Sequence, residues 1–277
     1  MADKPGWRRC PVWLLHLIPD PAKNLNQPPT WEALPVADAP RNRHPMTNIL
    51  LTGSSRGIGA AIAQVLSASD GIRLIGHGTA SGIAADFADP AGPRQLWDKA
   101  LAELGSIDVV INNAGVFEGN PIDLGDDDWV AGWERTMRIN LTASAELCRF
   151  AVRHWQERQS GGRIVNVASR AAYRGDSPQH WHYAASKAGM VAMTKSIARG
   201  YDAQGILAFA VCPGFTMTGM AEEYLSSRGG DKLLADIPLG RVADPEEIAN
   251  AVAYLATSAP PSMTGAVIDV NGASYVR

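Results

Sequence analysis

The sequence predicts an α/β fold, in which helices cover both faces of a single doubly wound parallel sheet. Two observations predict it. Short apolar runs of strand length recur along the chain and long helical segments separate them, which is the alternation that builds parallel sheets. Turns rich in Gly, Asn or Pro follow several of these runs, and ligands bind at that end of the strands in such sheets.

The first predicted unit is a strand, a glycine-rich turn and a helix. Asn48–Leu51 is a short apolar run typical of a buried parallel strand, and Ile58–Ser67 is an Ala-rich helical stretch. Between them the turn Thr52–Gly59 reads TGSSRGIG. Gly lets the backbone turn tightly, and the N–H groups and dipole of a helix start attract a pyrophosphate. This context predicts a Rossmann-type dinucleotide site.

The second unit is shorter than such folds require. A strand is predicted at Arg73–Gly76 and another at Ile83–Phe87, with only the six residues 77–82 between them. A parallel crossover with its helix needs about a dozen residues. We therefore expect this helix to be missing or reduced to a turn, which opens the adenosine side of the site.

Three further strands are predicted at Ile107–Ile111, Gly162–Ala168 and Ile206–Cys212, with helices at Asp128–Gln159 and Tyr183–Arg199. Their carboxyl ends share one edge of the sheet. The polar or turn-forming groups expected at that edge are Asn112-Asn-Ala-Gly115, Ser169 and Pro213-Gly214.

Tyr183 and Lys187 are four residues apart on a predicted helix, so they share a face. A unit charge at ~4 Å and an effective dielectric constant of ~20 is worth roughly 4 kcal/mol, or about 3 pKa units, although burial of the phenolate opposes it. The pair therefore predicts a tyrosine whose pKa moves from about 10 towards 7, suited to proton transfer. Asn140 lies inside the helix Asp128–Gln159, and because Asn is a poor helix-interior residue we expect a local distortion there.

Together these motifs resemble the short-chain dehydrogenase/reductase family over about Met46–Arg277, and within it the bacterial 3-oxoacyl-acyl-carrier-protein reductase type. The resemblance implies that Tyr183 is the general acid for carbonyl reduction and the base for alcohol oxidation. Lys187 would lower its pKa and bind the nicotinamide ribose, and Ser169 would hold the substrate oxygen. Asn140 would support a water that links Lys187 to solvent.

The resemblance also implies a nicotinamide dinucleotide cofactor. The residues that would contact it are Gly53, Ser55, Arg56, Gly57, Ile58, Gly59, His77, Asp86, Phe87, Asn113, Ala114, Gly115, Tyr183, Lys187, Pro213, Gly214, Thr216 and Thr218. No carboxylate follows the second strand to bond a ribose 2′-OH. Arg56 can meet a 2′-phosphate with help from His77. NADP(H) is therefore favoured over NAD(H), although the shortened segment after Gly76 leaves this choice open.

Two segments are expected to determine the substrate specificity. Met217–Gly230 contains three glycines and is predicted to be a mobile lid. The polar and aromatic stretch Asp176–His182 is expected to shape the pocket, with His180 and His182 as surface or lining residues and Trp181 as a wall.

The function implied is interconversion of a carbonyl and a secondary alcohol by hydride transfer, on a 3-oxoacyl thioester or another small carbonyl. A dehydrogenase of a sugar, steroid or other secondary alcohol is the alternative. A non-catalytic dinucleotide sensor on this fold is less favoured, because such proteins usually lack the Tyr or the Lys and this sequence has both. An epimerase or dehydratase of the extended relatives is also less favoured, because those enzymes normally carry a larger C-terminal substrate domain that this sequence does not show. Relatives usually assemble through the two long helices, so a homotetramer or homodimer is expected.

Composition agrees with an enzyme of the reducing cytoplasm. Apolar residues make up 46% of the 277 residues and the net charge is −3, which argues against a nucleic-acid surface. No apolar run reaches the ~18 residues of a membrane span. The three cysteines have neither metal nor disulfide spacing.

The catalytic domain is predicted to span residues 46–277, and residues 1–45 are different. They hold nine of the 18 prolines and show no sustained periodicity, so we expect a poorly ordered extension. Arg8 and Arg9 before the apolar run Pro11–Ile18 resemble a signal peptide only weakly. Translation from Met46 is a second possibility.

Overall fold

The structure is a computed structural model that describes residues 46–78, 82–217 and 234–277, all within one compact unit. Its centre is a six-stranded sheet whose hydrogen-bonded neighbours are all parallel, in the order β2-β1-β3-β4-β5-β6. The strands are β1 Thr47–Thr52, β2 Ile72–His77, β3 Val109–Asn112, β4 Gly162–Val167, β5 Ile206–Pro213 and β6 Val267–Val270. The predicted doubly wound α/β fold is confirmed.

The helices cover both faces of this sheet. They are α1 Gly57–Ser67, α2 Gly92–Leu104, α3 Asp126–Met137, α4 Ala143–Arg158, the short α5 Ala171–Arg174, α6 Trp181–Tyr201 and α7 Pro245–Thr257. Side chains of α2, α4 and α6 form one core with Leu50, whereas side chains of α1 and α7 form the other with Ile49 and Leu51. Successive residues of β1 therefore point to opposite cores, as the pleat of a strand requires.

The predicted strand Ile83–Phe87 does not form. Ile83 makes a single parallel bridge to His77 beside the edge strand β2, and its N–H donates to the Gly76 carbonyl at 2.8 Å. The chain then turns inward, and Phe87 is buried in the core with its ring stacked on His77 at 4.4 Å. The gain from burying this aromatic ring replaces the ladder of hydrogen bonds that a further edge strand would have made.

The long helix predicted at Asp128–Gln159 is interrupted at its predicted weak point. Between α3 and α4 the residues Arg138–Thr142 form one π-helical turn that contains Asn140. Such turns interrupt α-helices at functional sites. The expected local distortion at Asn140 is therefore confirmed.

The start of α7 is a capping box, as its sequence indicates. The side chain of Asp244 accepts from the N–H of Glu247, whose carboxylate in turn accepts from the Asp244 N–H at 2.8 Å.

Among the described residues, no helix combines the length and apolar character needed to cross a membrane.

Candidate active site

The glycine-rich turn brings the end of β1 against the start of α1. Gly53 and Gly57 have positive φ values of 66° and 53°, which side chains rarely adopt. A Cβ atom on Gly59 would lie 1.9 Å from the Gly53 carbonyl oxygen, so this position admits only glycine. Arg56 is the N-cap residue, with an extended backbone and no side-chain cap hydrogen bond. The first turn of α1 therefore begins at a tight bend without a side chain filling the space in front of it.

The Asn-Asn-Ala-Gly turn after β3 is fastened to the glycine-rich turn. The hydroxyl of Thr52 accepts from the N–H groups of Asn113 and Ala114 at 2.9 and 3.0 Å. The Asn113 amide donates to the carbonyls of Thr52 and Gly53 at 3.1 and 3.0 Å. The side chain of Asn113 thus braces the dinucleotide turn.

Tyr183 and Lys187 lie one turn apart on α6, and Ser169 follows β4. The Ser169 side chain lies near enough to Tyr183 to favour a lower pKa of the tyrosine. Ser169 also accepts from the Ala171 N–H at 3.1 Å, at the start of α5. The Tyr, Lys and Ser that were predicted to be catalytic therefore lie together at the carboxyl edge of the sheet. The pKa of Tyr183, however, does not shift in the predicted direction.

Lys187 lies beside the ring of Tyr183. Its Nζ is 5.8 Å from the ring centroid, and it donates to the Val167 carbonyl at 2.9 Å and to Met190 Sδ at 3.6 Å. Burial raises the pKa of Tyr183 to about 12, against a smaller opposing effect from the Ser169 side chain. Burial also lowers the pKa of Lys187 to about 8. The expectation that Lys187 lowers the tyrosine pKa is wrong for this structure, because loss of hydration dominates at both groups.

Asn140 connects the π-helical turn to the cofactor side of the site. Its amide oxygen accepts from the Val116 N–H at 2.8 Å, and its amide nitrogen donates to the Val116 carbonyl at 3.0 Å and to Ser186 Oγ at 3.3 Å. A Cβ atom on Gly115 would lie 3.2 Å from this amide oxygen and 3.6 Å from Lys187 Nζ. Asn140, Gly115 and Lys187 therefore share one small region.

His77 has a structural role rather than the phosphate contact predicted for it. Its Nδ1 accepts from the Gly53 N–H at 3.3 Å and its Nε2 donates to the Ala85 carbonyl at 2.9 Å. Burial lowers the pKa of the ring, which keeps it neutral at pH 7. With both nitrogens engaged and the ring stacked on Phe87, His77 offers no donor to a 2′-phosphate. Asp86 is exposed, and its carboxylate accepts from the Ala88 N–H at 2.8 Å.

The turn after β5 is packed against the C-terminal strand. The Gly214 N–H donates to the Val270 carbonyl at 2.9 Å, and a Cβ atom on Gly214 would lie 2.7 Å from Asn271 Cα. Thr216 is buried and its hydroxyl donates to the Gly214 carbonyl at 3.2 Å. Thr218, and all of the predicted lid Met217–Gly230 except its first residue, lie outside the described residues.

One aromatic contact at the site has no counterpart in the sequence analysis. Phe117 stacks on His180, with ring centroids 3.9 Å apart and planes at 2°, and contacts Tyr183 edge-on at 4.8 Å. His180 is a half-buried lining residue, as expected, while Trp181 is half exposed and contacts Trp129 at 6.3 Å. A single Phe two residues after a Gly turn has no periodic signal, and its proximity to Tyr183 is set only by the fold.

Known proteins are similar to this chain over most of its length. A family model described as enoyl-(acyl carrier protein) reductase matches residues 53–273. The 3-oxoacyl-[acyl-carrier-protein] reductase of Escherichia coli (strain K12) is 34% identical over 242 residues, which cover 82% of this chain and 96% of the relative. The chain belongs to the short-chain dehydrogenase/reductase family.

Two further relatives of this family member differ in their described roles. Nodulation protein G of Rhizobium sp. (strain N33) is 36% identical over 239 residues, covering 80% of this chain and 94% of the relative. A crystal structure of a putative 2-deoxy-D-gluconate 3-dehydrogenase from Agrobacterium tumefaciens, with bound NADP, has a TM-score of 0.72 and 26% identity. It covers 84% of this chain and 98% of the other. This family member is accordingly an NAD(P)-dependent oxidoreductase that interconverts carbonyl and CH–OH groups.

The residues present in this short-chain dehydrogenase/reductase fit a nicotinamide dinucleotide. Because Gly59 has no Cβ atom, it packs directly on the Gly53 carbonyl and the start of α1 lies close to the end of β1. A pyrophosphate is stabilised at such a helix start by N–H groups and the helix dipole. Ser55, Arg56 and Ile58 lie in this turn or at its helix, so they would border the same phosphate groups.

Proposed function

We propose that this protein catalyses NADPH-dependent reduction of a small carbonyl compound, with Tyr183 as the proton donor. The observation that carries the proposal is that Tyr183 and Lys187 lie one turn apart on α6, with Lys187 Nζ 5.8 Å from the centroid of the tyrosine ring and donating to the Val167 carbonyl, two residues before Ser169. A bound nicotinamide supplies the hydride in reduction and accepts it in oxidation. The protein's own residues therefore need to orient the carbonyl and supply a proton.

The proton balance favours Tyr183 as an acid at neutral pH. With its pKa raised to about 12 by burial, the phenol holds its proton at pH 7. It can donate that proton to the oxygen that gains charge as the carbonyl is reduced. Ser169 donates a hydrogen bond to the same oxygen and stabilises its developing charge. The reverse reaction requires the phenolate, so oxidation needs a higher pH.

Lys187 and Asn140 support this transfer. Lys187 is the buried amine closest to the Tyr183 ring, and its pKa, lowered to about 8 by burial, still leaves it mostly protonated at pH 7. We assign it the nicotinamide ribose contact. Asn140 holds the loop at Val116 and the Ser186 hydroxyl in place beside it. We assign Asn140 to positioning this side of the site and to supporting a water near Lys187.

The proposal is tested by Tyr183→Phe, measured as NADPH oxidation on a carbonyl that the wild-type protein reduces. Turnover should be abolished, while NADPH binding measured by fluorescence titration should survive, because only the proton donor is lost. Tyr254→Phe is the matched control, since the Tyr254 side chain is exposed on α7. A Tyr183→Phe protein with wild-type turnover would show that the proposed acid is wrong.

We propose NADP(H) as the preferred cofactor, with Arg56 as the 2′-phosphate ligand. Arg56 is exposed at the start of α1, and its guanidinium group makes no hydrogen bond or ion pair with the described residues, although its carbonyl accepts from the Ala60 N–H at 3.2 Å. The solved dehydrogenase relative carries NADP. Because a charge-assisted hydrogen bond is worth about 1.5–3 kcal/mol, Arg56→Ala should weaken NADPH binding at least roughly tenfold and leave NADH binding nearly unchanged. Arg149→Ala, on the exposed side of α4, is the control. Equal losses for both cofactors would exclude this role.

The substrate proposed is a 3-oxoacyl thioester or another small carbonyl, which the reductase relative supports. A sugar or other secondary alcohol is the second candidate, which the dehydrogenase relative supports. Parallel assays of 3-oxoacyl thioesters, sugars, steroids and small ketones with NADPH and NADH decide between them. Activity confined to sugar substrates would overturn the first candidate.

We also propose a homotetramer or homodimer, formed through α3, α4 and α6. The exposed apolar side chains Ile122, Val130 and Trp181 lie just before or at the first turns of α3 and α6. Light scattering during size-exclusion chromatography measures the assembly, and a monomer at micromolar concentration would contradict it. A cytoplasmic location and the division of the chain near residue 45 stay predictions.

A further inference from the structure

The aromatic pair Phe117 and His180 contacts the proposed catalytic tyrosine directly. The two rings are parallel at 3.9 Å, and the Phe117 ring lies edge-on to Tyr183 at 4.8 Å. The distance to Tyr183 falls within the range of about 4.5–7 Å for favourable aromatic pairs, and the Phe117–His180 distance is shorter than that range. Phe117 is therefore an immediate neighbour of the group that must reach the substrate oxygen.

This pair is held in place from both sides. His180 is the N-cap residue of α6, and its Nδ1 is 2.7 Å from the Ser177 hydroxyl. On the other side, the Asn120 N–H donates to the Gln179 carbonyl at 2.8 Å, which joins the Phe117 loop to the loop before α6. The pair is a fixed surface, because its orientation is determined by contacts of the backbone as well as of the rings.

Phe117 also keeps open apolar surface. Phe117 is 43% exposed, and the Tyr183 residue that it touches is half-buried, so part of the ring faces the open side of the site. A carbonyl oxygen must come within about 2.6–3.2 Å of the Tyr183 hydroxyl for proton transfer. A substituent on the carbonyl carbon then falls within a few ångströms of Phe117.

We propose that Phe117 and His180 determine substrate specificity, selecting carbonyl compounds that carry an aromatic or other flat unsaturated group on the carbonyl carbon. This inference rests on the proposed function and narrows its substrate. A flat apolar group stacks on the pair, whereas the hydroxyls of a sugar would lose hydration against these rings. Acetophenone and methyl cyclohexyl ketone form a matched probe pair, since they differ in the unsaturation of one ring.

The wild-type protein is expected to reduce acetophenone with a higher kcat/KM than methyl cyclohexyl ketone, measured as NADPH oxidation. Phe117→Leu keeps an apolar side chain without a ring, and His180→Asn keeps a polar atom near Nδ1 without a ring. Each should lower the acetophenone-to-cyclohexyl ratio roughly 2- to 10-fold. Phe117→Trp should retain the ratio, and Tyr254→Ala, which truncates an exposed aromatic on α7, should not change it.

Two outcomes would overturn the inference while leaving the proposed function intact. One is an unchanged ratio in both Phe117→Leu and His180→Asn. The other is a wild-type protein that reduces a 3-oxoacyl thioester or sugar but neither ketone. If the wild-type protein oxidises neither NADPH nor NADH with any carbonyl compound of the panel, the proposed function itself is refuted. If Phe117→Leu does not fold, His180→Asn alone decides, because it lies at a helix start near the surface.

Discussion

Replacing Lys187 by Met should change how the stability of the fold depends on pH. The side chain of Lys187 is 4% exposed, and burial lowers its pKa to about 8 from an ordinary value of 10.5. Its Nζ donates to the Val167 carbonyl at 2.9 Å, so the amine is held without a carboxylate partner. Met has a similar length and does not titrate. The pH dependence of the difference in unfolding free energy between the two proteins therefore reports the protonation of this amine.

The sign follows from counting protons. Between pH 8 and pH 10.5 the unfolded chain keeps a proton on Lys187 that the folded protein has released. The free energy of unfolding rises with pH wherever the unfolded state binds more protons, by about 1.36 kcal/mol per pH unit for one proton. From pH 8 to pH 10 the wild-type protein should therefore gain roughly 2–3 kcal/mol relative to Lys187→Met. Below about pH 7 the difference should be nearly constant.

Urea unfolding of both proteins at pH 7, 8, 9 and 10 measures this difference, provided that the m-values agree. Burial also raises the pKa of Tyr183 and of the Cys148 thiol, so both proteins lose stability at alkaline pH, but this loss cancels in the difference. Lys99→Met, on the exposed side of α2, controls for the lost charge. A difference that stays constant from pH 7 to pH 10 would refute the claim that burial depresses the pKa of Lys187.

Three other predictions follow from the same contacts. Gly59→Ala places a Cβ atom 1.9 Å from the Gly53 carbonyl oxygen. It should lower the free energy of unfolding, measured with urea, by about 1–3 kcal/mol. A variant with wild-type stability would show that the turn can relax. Thr194→Val removes the hydroxyl that accepts from the buried Asn166 amide at 2.8 Å. It should lower the free energy of unfolding by about 1–3 kcal/mol in the same measurement, and a loss of less than a few tenths of a kcal/mol would contradict this prediction. Because the pKa of Tyr183 is raised to about 12, kcat/KM for alcohol oxidation should rise about tenfold per pH unit from pH 6 to pH 8, and a flat profile would exclude the phenolate as the base.

The sequence could predict the parts of the molecule whose signal is local. The turn between β1 and α1 was predictable because glycines at 53, 57 and 59 stand between an apolar run and an Ala-rich helix. A local distortion at Asn140, which the structure shows as the π-helical turn Arg138–Thr142, was predictable because Asn disfavours a helix interior. In both cases a few neighbouring residues determine the backbone, so no knowledge of distant contacts is needed.

Features that depend on distant contacts could not be predicted in this way. Ile83–Phe87 has the apolar character of a strand, but Phe87 gains more by packing on His77 and the core. The direction of the Tyr183 pKa shift depends on how completely helices and strands remove water, which residue spacing does not reveal. Phe117 was missed because nothing in its sequence neighbourhood indicates which side chain it will meet.

The polar interior of α6 and the neighbouring π-helical turn is better explained by chemistry than by stability. Lys187 and Asn140 are almost completely buried, and burial lowers the pKa of the amine, whose partners are a single carbonyl and a sulfur atom. Apolar side chains at such positions usually stabilise a fold, and a π-helical turn disrupts the regular hydrogen bonding of a helix. All three features converge on Tyr183 and Gly115, where a carbonyl oxygen and a nicotinamide ribose would have to meet. A fold that required only stability would have no need of them. We therefore expect Lys187→Met to be more stable than the wild-type protein at pH 7 if the Val167 carbonyl finds another donor, and inactive in either case.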